Sequence, residues 1–501
     1  MRATKIVCTI GPASQSPEVL NKMVELGMDV ARVNFSHGSR SEHRTLLARV
    51  RRAAQRSGKV VGLLADIPGP KLRISDLSSD PLLLEEGHLV SVIEADTVTT
   101  SPPVAGTDGT IAITRLGVIE QLKPGDAISF ADGVVQVRVH ERLTTNGVTA
   151  VVEIGGTLIR RKGVNFPESS VILPALTDAD EDHIRFAVAE GFDFIAISFV
   201  GDVSDVIRAR EVASSVPSPL RPRIVSKIER PNALLDIEAI IRASDAVMVA
   251  RGDLGVEIAP EAVPIEQKRI IHLCNEIGRP VITATQMLES MVHAPLPTRA
   301  EATDVANAIL DGTDAIMLSA ETAAGEYPLE AVSYMDRIAR RTERERLNFS
   351  ITHMSRPTPT AHTVADAIAL SAFQISSVLS IRAVIAVTES GHSARVVAKY
   401  RPLVPIIGAA VTREAAGSLT LSFGVTPVVV DSHFDLDQAM VASVDRAVSL
   451  GLVAAGDLVL LVAGLPFGVS GTTNLLKIQK VGDPIFDASE QRTREERTSY
   501  V

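Results

Sequence analysis

The chemistry in this chain is concentrated between Ile224 and Ile258. There Lys227 and Glu229 stand two apart where one apolar run ends, and Asp253 follows a second apolar run. Two carboxylates at neighbouring strand ends can share one divalent cation, because hard ions take oxygen ligands and keep positions open for substrate oxygens. A lysine beside them adds a point charge suited to a phosphate or carboxylate. The run Arg251-Gly252-Asp253-Leu254-Gly255 reads as a glycine-rich turn whose backbone N–H groups can close around an anion. The expected chemistry is a metal-assisted reaction on a small phosphorylated or carboxylated anion.

Such groups need strands to hold them, and the chain supplies a regular series. Apolar β-type runs lie near residues 5, 30, 60, 194, 223, 246, 280 and 315. All but the third are followed closely by a helical pattern. Ser16-Pro17-Glu18 has the cap, first-turn proline and acid of a helix start, with Gly27 suited to its end. A basic helix is expected from about Glu42 to Ser57, and Thr298-Arg299-Ala300-Glu301 reads as a capping box. Eight β/α units are what a (β/α)8 barrel requires, with its working groups at the carboxyl ends of the strands. Those ends carry Arg32, Asn34 and Ser36, then Asp66, Ser198, Lys227 and Glu229, Asp253, Thr285, and Ser319 with Glu321. A doubly wound open sheet would gather its ligand groups at one switch point, which does not account for polar residues at so many ends.

Between Pro68 and Gly163 the helical period disappears. Short alternating segments are separated by Asp132-Gly133 and Asn146-Gly147, both type I′ hairpin signals, so a small all-β insertion is expected. After the barrel, residues 342–360 run from a charged helix end into a Pro/Thr-rich linker. A second α/β rhythm follows. The expected layout is a barrel of 1–67 and 164–345, a β lid of 68–163, an open-sheet α/β domain of 360–484, and a polar tail of 485–501.

Bulk composition narrows the class. The 501 residues are 46% hydrophobic and 22% charged, a globular balance with two to four domains. A net charge of −10 argues against nucleic acid or an acidic membrane as partner and requires a local basic cluster for any anionic substrate. Cys8 and Cys274 read as reduced core thiols. No run approaches the length of a membrane span and no leader pattern is visible at the start, so a cytoplasmic protein is expected.

The longer motifs add a resemblance. ARVNFSHG (31–38), GPKLR (69–73), KGVNFP (162–167), SKIER (226–230), ARGDLGVE (250–257), TATQMLESM (283–291), the run 297–328 and SGTTN (470–474) resemble pyruvate kinase, almost end to end and in the same order. That resemblance implies phosphoryl transfer from phosphoenolpyruvate to ADP, giving ATP and pyruvate. It implies that Glu229 and Asp253 hold Mg²⁺ (or Mn²⁺) and that Lys227 stabilises the phosphoryl group in transit. The Gly252 and Asp253 backbone would hold the substrate carboxylate, with Thr285 near the enolate and Ser319 among the substrate contacts. Arg32 and Arg73 would neutralise phosphates. Asn34, His37 and Lys162 would meet the nucleotide, Lys162 coming from a lid that excludes water. A homotetramer is implied as well.

Two features of the resemblance concern ions and effectors. In the family Asn34, Ser36, Asp66 and the carbonyl of the following residue, here Ile67, form a K⁺ site. Lys71 stands where K⁺-dependent members carry glutamate, and its ammonium can supply the charge of a bound K⁺; activity without added K⁺ is expected. Thr388-Glu389-Ser390-Gly391-His392-Ser393 is similar to the family's effector-phosphate loop, for a sugar phosphate or AMP, and reads equally as a plain helix cap.

Rival readings remain at this stage. Charged strand ends can be structural ion pairs, and Glu321 in particular reads as structural. A Mg²⁺-dependent barrel lyase or aldolase for oxoacids would use the same carboxylates without nucleotide or lid. A metabolite sensor on an inactive barrel would not need the full Lys/Glu/Asp/Thr set.

Overall fold

The computed structural model describes residues 2–70, 72–98, 106–114, 117–131, 133–167, 175–218, 221–350, 363–430, 436–466 and 471–485. Eight strands close into a parallel barrel: β1 (Lys5–Thr9), β2 (Val30–Asn34), β3 (Gly62–Ile67), β4 (Phe194–Ile197), β5 (Arg223–Ile228), β6 (Ala246–Ala250), β7 (Val281–Ala284) and β8 (Ala315–Leu318). They follow chain order round the ring, and β1 pairs with both β2 and β8. The open-sheet alternative is thereby excluded.

Side chains along a strand alternate between its two faces, and the barrel uses both. Val7, Val30, Leu64, Ala196, Val225 and Met317 belong to the interior core. Ile6, Ala31, Leu63, Ile195, Ile224 and Ile316 belong to the larger core between strands and helices. Leu421, from the C-terminal domain, joins the interior cluster. Buried apolar surface of this kind contributes roughly 25 cal/mol per Å² and is the main reason the ring closes.

The helices begin and end where local chemistry allows. Ser16 caps the helix Pro17–Leu26, and Gly27 ends it at φ 119°, a conformation that suits glycine. The basic helix runs Arg40–Ser57, two residues longer at its start than the sequence suggests, because Ser39 and Glu42 form a capping box. Thr298 and Glu301 do the same for Arg299–Asp311. The glycine-rich turn expected after β6 is instead a helix, Arg251–Glu257, that starts directly at the strand end.

Among its described residues the insertion is all-β apart from one 3-10 turn, Ile119–Gln121. A seven-stranded sheet and a two-stranded one surround a separate core of valines, leucines and isoleucines. Val164–Asn165, beyond the boundary read from the sequence, pairs with Phe130 and Ser129 and so belongs to the lid sheet. The hairpin expected at Asn146-Gly147 forms, but not with a type I′ turn on those residues: strands Val135–Thr144 and Gly147–Ile154 are joined by Thr145-Asn146, and neither Asn146 nor Gly147 has positive φ. Gly147 is already paired with Thr144 and Ile93. Asp132 of the other hairpin signal lies outside the described residues, as does Lys71.

The C-terminal domain has β9 (Ile381–Thr388), β10 (Ile406–Ala410), β11 (Val425–Val429), β12 (Leu458–Gly464) and β13 (Thr473–Lys480) in the order β11-β10-β9-β12-β13. Only the β12–β13 pair is antiparallel. The helix Pro328–Ser350 leads toward this domain; the Pro/Thr-rich segment 351–362 and the tail from 486 lie outside the described residues. Cys8 and Cys274 are buried free thiols. Among the described residues, no helix is long and apolar enough to cross a membrane.

Candidate active site

The interior columns of the barrel explain how the predicted groups meet. Val30 faces inward, so Arg32 and Asn34 continue its column two and four residues on. By the same count Leu64 leads to Asp66, Ala196 to Ser198, and Val225 to Lys227 and Glu229. The spacing of two that first marked Lys227 and Glu229 is thus the period of one strand face.

These columns converge. Lys227 Nζ lies 2.7 Å from Ser198 Oγ, 3.2 Å from Asp66 Oδ1 and 2.9 Å from Glu229 Oε1. Arg32 Nε donates to Asp66 Oδ2 at 2.7 Å and Arg32 Nη1 to Thr9 Oγ1 at 2.8 Å. Glu229, fully buried, accepts from the Phe199 N–H at 2.7 Å through Oε2. Its Oε1 makes the ion-pair contact with Lys227 but has no aligned hydrogen-bond donor.

Electrostatics separate the roles. Burial alone would lower the Lys227 pKa, but Asp66 and Glu229 raise it above the ordinary lysine range, so the group is an ammonium. Burial opposes charge on Asp66, yet Arg32 and Lys227 hold its pKa below the usual value. Glu229 differs: burial raises its pKa, Lys227 offsets part of this, and the like charge of Asp253 adds to the rise. The ion pair therefore favours Lys227 more than it favours Glu229, because complete burial and a second carboxylate outweigh one ammonium. A divalent cation between Glu229 and Asp253 would remove that repulsion and use Oε1, which only the Lys227 ion pair engages. The donor set fits Mg²⁺, although no group of three or more His, Cys, Asp or Glu gathers among the described residues; the remaining ligands would be substrate and water.

Asp253 sits in the first turn of Arg251–Glu257. Gly252 N donates to Thr285 Oγ1 at 2.8 Å, and a Cβ at Gly252 would come within 3.4 Å of that oxygen. Thr285 is out of step with the inward column of β7 and is brought round by a left-handed backbone, φ 65°, followed by Gln286 at 54°. Arg251 pins this bend. Its guanidinium donates to Thr285 O at 2.7 Å and is anchored by Asp304 at 2.7 and 2.9 Å. Sequence reasoning missed that role. Ser319 ends β8, its N–H donating to buried Glu321 at 2.6 Å, while Leu288 N reaches the other Glu321 oxygen at 3.1 Å. Glu321 is thus occupied with backbone donors, as a structural residue.

Lid and barrel face each other across a cleft of about 480 Å³. Arg73, Arg160, Arg161 and Lys162 line its lid side; Arg230, Asp253 and Glu257 line its barrel side. Asn165 Nδ2 donates to Glu257 Oε1 at 2.9 Å, tying the lid to the helix that bears Asp253. Arg73 Nη1 is held by Arg161 O at 2.8 Å. Arg73 and Lys162 are therefore brought together with Asp253. Asn34, exposed His37, Arg32 and Thr285 do not line this cleft, and Lys227 and Glu229 are buried behind it. Asn165 and Glu257 had no local signal in the sequence.

The oxygens expected around K⁺ already accept protein donors. Asp66 takes Arg32 and Lys227, Ile67 O takes Ser198 Oγ at 2.7 Å, and Asn34 Oδ1 takes Ser36 N at 3.0 Å. The effector-loop residues form a separate group on the C-terminal domain. Thr388 ends β9, and Gly391, at φ 81°, opens the helix His392–Lys399 without a side-chain cap. Ser393 Oγ is 2.8 Å from Thr473 Oγ1, within the SGTTN motif. Ser390 O is held by Arg223 and Arg395, each at 3.1 Å.

Known proteins match this arrangement along nearly the whole chain. The family described as "Pyruvate kinase, barrel domain" matches residues 1–332, and "Pyruvate kinase, alpha/beta domain" matches 366–479. A pyruvate kinase of Sporosarcina psychrophila is 44% identical over 484 residues, covering 96% of this chain and 81% of that protein. One from Geobacillus stearothermophilus is 43% identical over 484 residues with the same coverage. The crystal structure of a pyruvate kinase from Cryptosporidium parvum superposes with a TM-score of 0.85 at 34% identity, over 96% of both chains. With both of its domains matched and its relatives aligned over most of their own length, the chain belongs to the pyruvate kinase family.

Proposed function

We propose that the chain carries out the pyruvate kinase reaction at the barrel mouth. It moves the phosphoryl group of phosphoenolpyruvate to ADP, and the enolpyruvate released becomes pyruvate, the last step of glycolysis. The observation that carries this reading is the buried Lys227 ammonium, within 3.2 Å of two carboxylates and beside the Glu229–Asp253 pair. Phosphoryl transfer depends on positioning and charge neutralisation more than on covalent chemistry with the protein.

The residues divide that work. Lys227 and Arg32 balance charge on the phosphoryl group, and the Gly252–Asp253 backbone orients the substrate carboxylate, which replaces Thr285 Oγ1 on the Gly252 N–H. Thr285 acts near the enolate, and Ser319 is a further substrate contact. Arg73 and Lys162 meet the nucleotide phosphates from the lid, and Asn34 and His37 complete the nucleotide contacts. Glu229 and Asp253 hold Mg²⁺, or Mn²⁺, which when bound supplies Lewis-acid neutralisation of substrate oxygens. The test is a coupled assay: pyruvate formation from phosphoenolpyruvate, ADP and Mg²⁺, followed through a dehydrogenase. Glu229→Gln should lower turnover at least 100-fold, about the loss expected for a key electrostatic group, and weaken Mn²⁺ binding read by electron paramagnetic resonance. Unchanged Mn²⁺ affinity would remove Glu229 from the metal site.

The same reading makes K⁺ dispensable. By the family resemblance, Lys71, standing where K⁺-dependent members carry glutamate, supplies the charge of a bound K⁺, and the Asn34, Asp66 and Ile67 oxygens themselves engage protein donors. Replacing K⁺ with tetramethylammonium should leave the rate within about twofold; a collapse of turnover would restore the K⁺ site. We further assign the chain a cytoplasmic homotetramer with a sugar-phosphate or AMP effector at Thr388, Ser390, Gly391, His392 and Ser393. Family resemblance supports this, together with three hydroxyls, on Thr388, Ser390 and Ser393, around a helix start.

A further inference from the structure

The joint between the barrel and the C-terminal domain carries more positive charge than it neutralises. A narrow cleft there, bordered by Gly278–Pro280 and by the helix His392–Lys399, has the cations Arg279, Arg395, Lys399 and Arg401 and one carboxylate, Asp314, among its lining residues. Two of these cations have counter-ions: Lys399 Nζ lies 3.0 Å from Asp366, and Arg401 Nη2 lies 3.1 Å from Asp314. Arg279 and Arg395 have none. No carboxylate among the described residues lies within 4 Å of either guanidinium. Arg279 donates Nη2 to Arg242 O at 3.0 Å, and its buried Nε has no partner. Arg395 has only the Ser390 carbonyl at 3.1 Å and a long contact, 3.4 Å, to Ser418 Oγ.

Neighbouring groups deepen the imbalance. Arg223 adds a third guanidinium, and Asp245, the acid that acts on Arg395, is already shared between Arg210 at 2.9 Å and Arg223 at 3.3 Å. Burial, then Arg223 and Arg279, push Arg395 down to about 9, with Asp245 offsetting only part. A guanidinium stays charged in proteins, so this depression marks a cation short of a counter-ion.

We propose that Arg279 and Arg395 form an anion site for a phosphate group, set between the barrel and the C-terminal domain and distinct from the barrel mouth. Guanidinium forks match tetrahedral oxyanions with paired N–H···O bonds, and Lys399 adds a third donor group. The space between the side chains, about 20 Å³, holds little more than one water-sized sphere. The anion therefore enters by displacing the flexible stems of Arg279 and Lys399, both only partly buried. A terminal phosphate fits such a slot with any organic remainder outside. Because it bridges side chains of both domains, an occupied site ties them together.

The test is calorimetric titration of the full chain with inorganic phosphate at constant ionic strength, against sodium chloride. Saturating phosphoenolpyruvate and Mg²⁺ without ADP fill the substrate subsite, and the arginine variants separate the new site from the open nucleotide subsite. Saturable binding is expected in the parent chain, weakened tenfold or more by Arg395→Gln and severalfold by Arg279→Gln, whose part-exposed position also guards against misfolding of the first variant. In Ser393→Ala, which weakens any phosphate binding at the effector loop, the arginine-dependent binding step should persist. Repeating the titration with a nucleoside monophosphate and a sugar monophosphate identifies the source: tighter binding of an ester points to a metabolite, equal or weaker binding to the free ion. Heats no different from chloride, or equal affinity in the parent and both arginine variants, would overturn the site. So would loss of binding in Ser393→Ala alone.

Discussion

Two lysines, one at each end of the barrel, show why burial and charge do not by themselves mark function. Lys5 opens β1 at the amino end and is 5% exposed; Lys227 lies near the carboxyl end of β5 and is 9% exposed. Lys5 gives its Nζ to the Val425 carbonyl at 2.5 Å and has Asp29 only at 3.9 Å. Burial then wins, and its pKa falls below the ordinary lysine range. Lys227 has two close carboxylates and a hydroxyl, so its pKa rises despite equal burial. One lysine is a tie between domains. The other is a permanent ammonium next to a carboxylate pair whose repulsion invites a metal. The general rule that barrel chemistry gathers at the carboxyl ends of strands, and stability at the amino ends, here has an electrostatic cause.

Exchanging each lysine for methionine should break the comparison cleanly. Lys227→Met is expected to cost about 10³-fold in turnover, since it removes the charge that the transferring phosphoryl group meets. Circular dichroism at 25 °C checks that the variant is folded before it is assayed. A rate within tenfold of the parent would contradict the assigned role. Lys5→Met should leave turnover within about twofold and lower stability by about 1–3 kcal/mol, the cost of leaving the Val425 carbonyl unsatisfied. The measurement is denaturant unfolding alongside the coupled assay. A large fall in turnover at unchanged stability would erase the distinction between the two ends.

What the sequence revealed about this site follows the range of the interactions involved. Lys227, Glu229, Asp66 and Arg32 were legible because a strand's two-residue period places them on one face, a local rule. Caps such as Thr298 with Glu301 were legible for the same reason. The run from Arg251 misled, since Gly252 and Gly255 suggest a loop while tertiary packing of Leu254 and the anchoring of Arg251 by Asp304 fix a helix. Thr285 could be named from its motif, but not the left-handed bend that carries it. The Asn165–Glu257 bond depends on how lid and barrel face each other, which no local pattern encodes. At Asn146-Gly147 the hairpin formed but the turn type failed, because pairing with Ile93 and Thr144 shifted the turn by one residue, the least secure feature of any hairpin reading.

The smallest expected effect extends the amino-end pattern to a carboxylate. Asp193, just before β4, accepts from Leu63 N at 2.8 Å and has Arg413 only at 3.6 Å. Burial raises its pKa from the ordinary 3.8 to about 6, with Arg413 offsetting part of the rise. The folded state thus holds the proton more tightly than the unfolded chain does. By linkage, the stabilisation this gives is fully present below pH 3.8 and is lost as pH climbs through about 6. Asparagine keeps an oxygen for the Leu63 N–H and cannot ionise. Asp193→Asn should therefore match the parent near pH 4 and exceed it at pH 7–8, raising the apparent unfolding midpoint by about 2–4 °C for each kcal/mol recovered. Scans of both proteins across pH 4–8 decide it. Parallel curves would mean that Asp193 is as comfortably ionised as Asp66, and the contrast between the two ends of the barrel would then rest on Lys5 alone.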